Sequence, residues 1–373
     1  MARLVSRDAH ERWLVQLTDL PSVSGKEDAV ITWVTQWVRR RRDLTLARDR
    51  YGNLYITQNR QLRSAPIWLT AHMDHPGFVA TSVDGNTIAW EFRGGVRDEY
   101  YSGAVVEWLD KTQVAGRSRI EAFERTDAGM SGTSKRLRGS PVPAVGAIGR
   151  WHFAPSRLGI SRGRLRANAC DDLAGVAAAL AVLDQSRVVD QLRDVGVILT
   201  RAEEMGFVGA IGAAKGARIP ARSRLVCIEM SRALPDAPLG AGPVVRVGDA
   251  SSVFSPGLTN ALATLAAEMG QTDDLASQRK LMTGGSCEAT AFVAYGHIAA
   301  CVCLPLGNYH NMGELDEVER RRSPAQVAPE EISLADWHGM VDFLVAALAR
   351  LDEGEGLIRA KLDRRFEASR AIL

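Results

Sequence analysis

The sequence predicts an α/β protein: three layers of helix, sheet and helix (α/β/α), interrupted by a small all-β insertion. Two observations carry this. Apolar, β-branched runs, residues 195–200 above all, stop abruptly at acidic or histidine residues and are followed by small-residue helical stretches. Between residues 77 and 166 no long helical period survives, and short alternating pieces such as 87–92 and 104–108 are separated by Gly, Ser, Asp and Pro. The expected organisation is an α/β/α domain over residues 1–76 and 167–373, with a β-barrel-like domain inserted at 77–166.

At 373 residues the chain has room for two domains, or for one large domain with an insertion. A composition of 46% hydrophobic and 24% charged residues is ordinary for a globular protein. Both signs of charge are mixed along the chain to a net of +2, so no nucleic-acid partner is expected. The basic cluster 39–42 closes an amphipathic helix, where cations suit the helix dipole. Five cysteines without framework spacing argue for a reducing compartment and against a disulfide scaffold. The N-terminal residues lack a signal-peptide core and no apolar run is of bilayer length, so a cytoplasmic protein without membrane contact is expected.

Along the chain, residues 8–20 make a short helix with Trp13, Leu14 and Leu17 on one side. Ser24 and Glu27 have capping-box spacing ahead of a helix striped by Val30, Trp33, Val34, Trp37 and Val38. Segments 44–47 and 53–56 flank a turn at Tyr51-Gly52-Asn53 and read as a hairpin, and 66–71 is an apolar strand. Within the insertion, residues 129–140 are rich in Gly, Ser, Lys and Arg and read as a loop. From Asn168 the α/β pattern resumes with an alanine-rich helix at 173–183. Strands at 223–228 and 298–304 follow, the latter with Cys301 and Cys303 on one buried face. A helix at 256–269, another after Glu288, and a last one striped by Leu334, Trp337, Val341, Leu344 and Leu348 complete the pattern.

Five strand-like segments end at metal-competent or acid–base residues: His72 with Asp74, Asp171 with Asp172, Glu203 with Glu204, Glu229, and His310. In open α/β sheets chemistry sits beyond the carboxyl ends of the strands. Neighbouring strand residues point to opposite faces, so Glu203 and Glu204 share a site only if their strand has ended. The Thr200-Arg201-Ala202 step allows that. Each segment alone is compatible with solvated acids or a hydrogen-bonded structural histidine; their common placement points to one centre. Mixed histidine and carboxylate ligands suit Zn²⁺, Co²⁺ or Mn²⁺ better than Ca²⁺. Two histidines and three acids would hold two such ions with one carboxylate bridging, and a further acid would serve as general base.

The string Ala71-His72-Met73-Asp74-His75-Pro76-Gly77-Phe78-Val79 resembles the H-x-D-E-I-G-F segment of the cytosolic dinuclear-metal aminopeptidases, the glutamyl and leucyl enzymes that build tetrahedral assemblies. Residues 168–175 resemble their L-D-D-R-x-G segment and 200–210 their T-x-Q-E-E-V-G-x-x-G-A segment, with Gly242-Pro243 and Gly284-Gly285-Ser286 in matching order. The resemblance covers residues 12–350 and implies a zinc-exopeptidase-like fold in which the α/β/α domain is catalytic. It implies His72, Asp171 and Glu229 on one ion and Asp171, Glu204 and His310 on the other, with Asp171 bridging. It also implies Asp74 fixing the His72 tautomer and a cis peptide at Asp171–Asp172. Glu203 would be the general base towards a metal-bound water, which becomes the attacking hydroxide. The activity implied is removal of N-terminal residues from short peptides with a free amino terminus. The implied cofactor is two divalent ions per subunit, Zn²⁺ foremost with Co²⁺ or Mn²⁺ as alternatives. The implied assembly is a dimer-based homo-oligomer of up to a dodecamer.

The chain departs from the family pattern at His75-Pro76 (for Glu-Ile), at Leu173 (for Arg) and at Cys287-Glu288 (for an Asp after Gly-Gly-Thr), and lacks the R-Y-x-H spacing around His310. None of these removes an implied ligand. Cys287 reads as a small buried side chain, with Glu288 taking the polar role. The all-β insertion, placed before Asp171, favours an aminopeptidase over a metallo-carboxypeptidase or N-acyl-amino-acid deacylase, relatives that carry an α+β insertion after the ligand glutamates. A non-catalytic binding or scaffold homologue is disfavoured by the intact set of costly acids, and a glycosidase by the two histidines.

Overall fold

The computed structural model describes residues 6–59, 66–127, 129–192, 194–273 and 275–372. At its centre is an eight-stranded sheet in the order Leu44–Arg48, Leu54–Gln58, Val195–Thr200, Ile67–His72, Arg224–Arg232, Ile298–Leu306, Val244–Gly248, Gln278–Leu281. The four middle strands are parallel, and Ile67–His72 and Val195–Thr200 are buried at every position. Parallel strands covered on both faces require such continuous burial, and the unbroken apolar runs supply it. Alternation then sorts the side chains into two cores. Val226, Ile228, Val302 and Leu304 face one helical layer, whereas Leu225, Cys227, Cys301 and Cys303 face the other. The architecture is thus the expected three-layer α/β/α one.

The first layer holds Arg7–Thr18, Leu173–Ser186 and Leu334–Ala349; the second holds Val208–Lys215 and Glu288–Ala294. Leu173–Ser186 is buried almost all round, which its small side chains permit, and Trp337 Nε1 donates to Ala174 O at 3.0 Å to pin the neighbouring helix to it.

The insertion closes into a six-stranded barrel of Gly77–Asp84, Thr87–Arg93, Gly129–Arg136, Gln113–Thr126, Val105–Asp110 and Ile148–Trp151. Phe78 is the hub of its core, with ring centroids 4.7 Å from Trp151, 4.8 Å from Phe92 and 5.0 Å from Trp90, all edge-on. Gly149 makes room for these rings, since a Cβ there would lie 2.8 Å from Trp108 and 2.9 Å from Phe78.

Several expectations are corrected. The loop expected at 129–140 contains the strand Gly129–Arg136, which pairs on both sides and closes the barrel. Its serines suggested a loop, but Ser134 points inward and extends a buried hydrogen-bond chain through Ser118 to Trp108. The capping box does not form: Ser24 Oγ donates to Asp74, and Glu27 accepts from Gly25 N and Ala202 N ahead of helix Asp28–Arg39. The strand expected to stop at residue 228 continues through Arg232, because its partner Ile298–Leu306 runs equally far. The segment before Asp171 lies outside the large sheet. Arg164–Ala167 pairs with Gly159–Ser161 and Glu330–Ser333 in a separate three-stranded sheet.

Truncating the hub of the barrel removes a fully buried ring. Phe78→Ala is expected to cost about 3–5 kcal/mol of unfolding free energy, read by denaturant titration.

Candidate active site

Parallel register brings the strand ends to one edge. Thr200 pairs with His72, and Glu229 with Cys303. The strand bearing His72 is flanked by Val195–Thr200 on one side and Arg224–Arg232 on the other. The order of strands therefore reverses at His72, which opens a crevice beyond that edge. After Thr200 the chain leaves strand geometry through Ala202, at φ 51°, into the short turn Glu203–Met205. The two glutamates therefore no longer alternate between faces. Gly209 closes this turn: its N–H donates to Arg201 O at 2.9 Å, and a Cβ there would lie 2.3 Å from the same oxygen. Asp171 arrives from the N-terminal end of Leu173–Ser186, across a cis peptide to Asp172. His310, at φ 54°, lies four residues beyond the strand Ile298–Leu306.

These segments converge. His72 Nε2 lies 3.2 Å from Asp171 Oδ1, 3.8 Å from Glu229 Oε1 and 3.9 Å from Glu203 Oε2. His310 Nε2 lies 3.2 Å from Glu204 Oε1 and 3.5 Å from Asp171 Oδ2. Asp171 thus offers one oxygen to each histidine. The ligand atoms fall into overlapping groups, His72/Asp171/Glu204, His72/Glu203/Glu229 and Asp171/Asp172/Glu229, each compact enough for one ion. His72, Asp171, Glu203, Glu204, Glu229 and His310 line one cleft whose other walls include Arg232, Arg246, Met282, Gly284–Ser286 and Tyr309.

A surrounding layer, mostly invisible in the sequence, holds these groups in place. His72 Nδ1 lies 3.0 Å from Asp74 O, nearer than the Asp74 carboxylate at 3.6 Å. That carboxylate accepts from Ser24 Oγ at 2.6 Å, Glu203 N at 2.9 Å and Glu204 N at 3.1 Å, so it clamps the glutamate turn. Glu27 braces the same turn through Ala202 N and the Arg201 guanidinium. His310 Nδ1 lies 2.6 Å from Gly95 O, a carbonyl just past the barrel strand Thr87–Arg93. His75 Nδ1 lies 2.6 Å from Asp171 O, and His75 Nε2 lies 3.1 Å from Asn311 Oδ1. Glu330 accepts from the amides of Cys170, Asp171 and His310. Asp172 Oδ2 accepts from His72 N at 3.2 Å. Cys287 is fully buried in the second core, while Glu288 hydrogen-bonds Thr200 beneath the site. Of this layer the sequence marks Asp74, Asp172 and Glu288, offers Ser24 and Glu27 as a helix cap, and is silent on the Gly95 carbonyl, Asn311 and Glu330.

The electrostatics fit divalent cations. Burial pushes Glu203 well above the usual carboxylate range, helped by Glu204, Glu229 and Asp74 and opposed by His72. Burial and Asp171 do the same to Glu229, and burial and Glu229 to Asp172. The crowded acids hold His72 and His310 well above the ordinary imidazole range in spite of burial. Such a cluster is short of positive charge. Asp171 Oδ1 and Asp172 Oδ1 are buried without a hydrogen-bond partner. With both Nδ1 atoms set against carbonyls, each Nε2 is left to face the shared oxygens of Asp171. Imidazole and carboxylate together suit Zn²⁺, Co²⁺ or Mn²⁺.

The model of the M42 glutamyl aminopeptidase family, whose peptidases are metal-dependent, matches residues 145–321. Similar folds are found in solved structures. A TET aminopeptidase from the archaeon Thaumarchaeota SCGC AB-539-E09 matches with a TM-score of 0.72 at 17% identity, over 93% of this chain and 99% of that one. An aminopeptidase from the archaeon Desulfurococcus kamchatkensis gives 0.70 at 20% identity, over 92% and 95%. The Pyrococcus horikoshii TET1 peptidase gives 0.69 at 21% identity, over 91% and 99%. The chain is thus similar to the M42 glutamyl aminopeptidases over residues 145–321 and shares its fold with the TET aminopeptidases, and its enzyme class is that of a metallo-aminopeptidase, a hydrolase of peptide bonds.

Proposed function

We propose that the chain removes N-terminal residues from short peptides with a free amino terminus. In this reading His72, Asp171 and Glu229 hold one divalent ion, Asp171, Glu204 and His310 hold the other, and Glu203 is the general base. The observation that carries it is the convergence of these side chains in one cleft, with Asp171 between the two histidines. Zn²⁺ is the foremost candidate, with Co²⁺ or Mn²⁺ as alternatives. When bound, such ions polarise a carbonyl oxygen and acidify water. Glu203 takes the proton of the attacking water and delivers it to the leaving amine. Asp74 holds the Glu203–Glu204 turn through the two backbone amides, and so keeps the base in place.

The α/β/α domain is read as residues 1–76 and 167–373, and the inserted domain as 77–166. An all-β insertion ahead of Asp171 favours an aminopeptidase over a carboxypeptidase or deacylase on the same centre. The dodecameric and tetrahedral assemblies named for the TET peptidases support a homo-oligomer.

Arg246 refines the substrate. Its guanidinium is buried on a wall of the cleft, and among the described residues its hydrogen bonds go only to Ser231 Oγ at 2.9 Å and Met282 O at 3.5 Å. Its Nε has no partner. A buried cation without a carboxylate is costly, and an acidic N-terminal side chain of the substrate would neutralise it.

Glu203→Gln is expected to abolish turnover while leaving metal content unchanged, read by peptide hydrolysis and elemental analysis; near-normal activity would remove Glu203 as the base. Free-amine peptides should be cleaved and N-acetylated ones spared, and a chelator should stop the reaction. Among amino-acid p-nitroanilides, those of Glu and Asp should be cleaved faster than that of Leu, and Arg246→Met should erase the difference.

A further inference from the structure

We propose that Glu330 is a positioning residue that locks Asp171 and His310 together and thereby sets the affinity of the second ion. The inference rests on the dinuclear reading above and goes beyond it, because Glu330 touches neither the cleft nor any ligand atom.

The two ions are supported differently. His72 and Glu229 project from adjacent regions of the parallel sheet, where ladder hydrogen bonds fix the backbone. Asp171, Glu204 and His310 sit on irregular chain. His310 lies in a stretch where Asn308, His310 and Asn311 all adopt positive φ, at 55°, 54° and 62°. Non-glycine residues occupy that region only where their surroundings enforce it. Backbone pairing brackets the stretch, at Gly307 with Glu331 and at Met312–Gly313 with Gln326–Val327, but among the described residues no ladder bond reaches His310 itself, so its N–H needs a side-chain acceptor.

Glu330 supplies it. The residue is fully buried at the start of strand Glu330–Ser333, opposite Ala167 in the three-stranded sheet. Oε2 accepts from Cys170 N at 2.6 Å and Asp171 N at 3.0 Å, while Oε1 accepts from His310 N at 2.9 Å. One carboxylate thus satisfies donors on both irregular loops and fixes their separation. All three donors are backbone amides. A side chain with two acceptor oxygens and no donor is required, because an amide NH₂ in either position would face an N–H. Asn311 adds a weaker tie between the same loops, donating to Asn168 O at 3.0 Å.

Losing Glu330 should therefore affect the ions unequally. The first ion keeps His72 and Glu229 on the sheet. The second loses the alignment of two of its three protein ligands. Partners that orient metal ligands typically change affinity by roughly 10–100-fold.

The test uses the full-length wild type, Glu330→Gln and Glu330→Asp. Each is stripped of metal and titrated with Zn²⁺ in chelator buffers, with metal per subunit counted by elemental analysis and affinities measured by calorimetry. Circular dichroism and thermal melts of the metal-free forms establish that they are folded. Both ions share Asp171, so in Glu330→Gln the second ion is expected to bind about tenfold more weakly or worse, and the first, which keeps His72 and Glu229, to weaken clearly less. A folded Glu330→Gln that binds both ions as wild type does, or weakens both equally, overturns the proposal. Should Glu330→Gln not fold, Glu330→Asp decides. Its carboxylate falls one methylene short, so the second ion should weaken more than the first, and an unchanged second affinity overturns the proposal. A wild type that binds fewer than two ions would instead refute the dinuclear reading, and this inference with it.

Discussion

Mutual repulsion among buried carboxylates is the constraint around which this structure is built. Asp74, Asp171, Asp172, Glu203 and Glu229 are all buried at the edge of one sheet, with Glu204 beside them. No arginine or lysine among the described residues forms an ion pair with any of them. Buried charge without compensation costs several kcal/mol per group, so every acid needs an answer. Those facing the centre are answered by two histidines and, when bound, by metal ions. Those behind it are answered by amides and hydroxyls: Asp74 by Ser24 and two turn amides, Asp172 by His72 N, Glu330 by three amides. The hydrogen bonds behind the centre hold the acids in place, so that like charges stand a few ångströms apart.

The fold divides the labour. Parallel strands place His72 and Glu229 by register alone, whereas the remaining groups come from turns and loops that cannot hold themselves. Ala202 and His310 are both left-handed, and each is braced by a buried acid, Glu27 in one case and Glu330 in the other. The barrel takes part too. The Gly95 carbonyl, at its rim, orients His310. Glu319 joins Arg97, close to that carbonyl, to Arg232 on the cleft wall at 2.7 Å each. The insertion is thereby tied to the mouth of the site as well as to its interior.

Much of this was legible beforehand. The apolar strands, the alanine-rich helix, the hairpin at residues 44–58 and the shared face of Cys301 and Cys303 all follow from periodicity, which local sequence encodes directly. So did the side chains that meet in the cleft, because acids and histidines at the ends of apolar runs are conspicuous. Two of the misreadings share a cause. Ser24, Glu27 and the serines of Gly129–Arg136 are polar residues that the sequence offers as caps and loops, and tertiary contacts assign them elsewhere. Glu330 gave no signal at all, since its partners are backbone amides at positions 170, 171 and 310, and amides are the same in every sequence.

The sequence by itself therefore determined the layers, the position of the barrel and which acids and histidines stand near strand ends, because hydrophobic period and side-chain type are local properties. Only the tertiary structure decided which groups face one another. It turned Asp74 towards the glutamate turn, gave Gly95 and Glu330 their roles, and left Arg246 on the cleft wall without an ion-pair partner among the described residues. Distances between segments more than a hundred residues apart are fixed by sheet register and loop closure, and neither is written in any single stretch of chain.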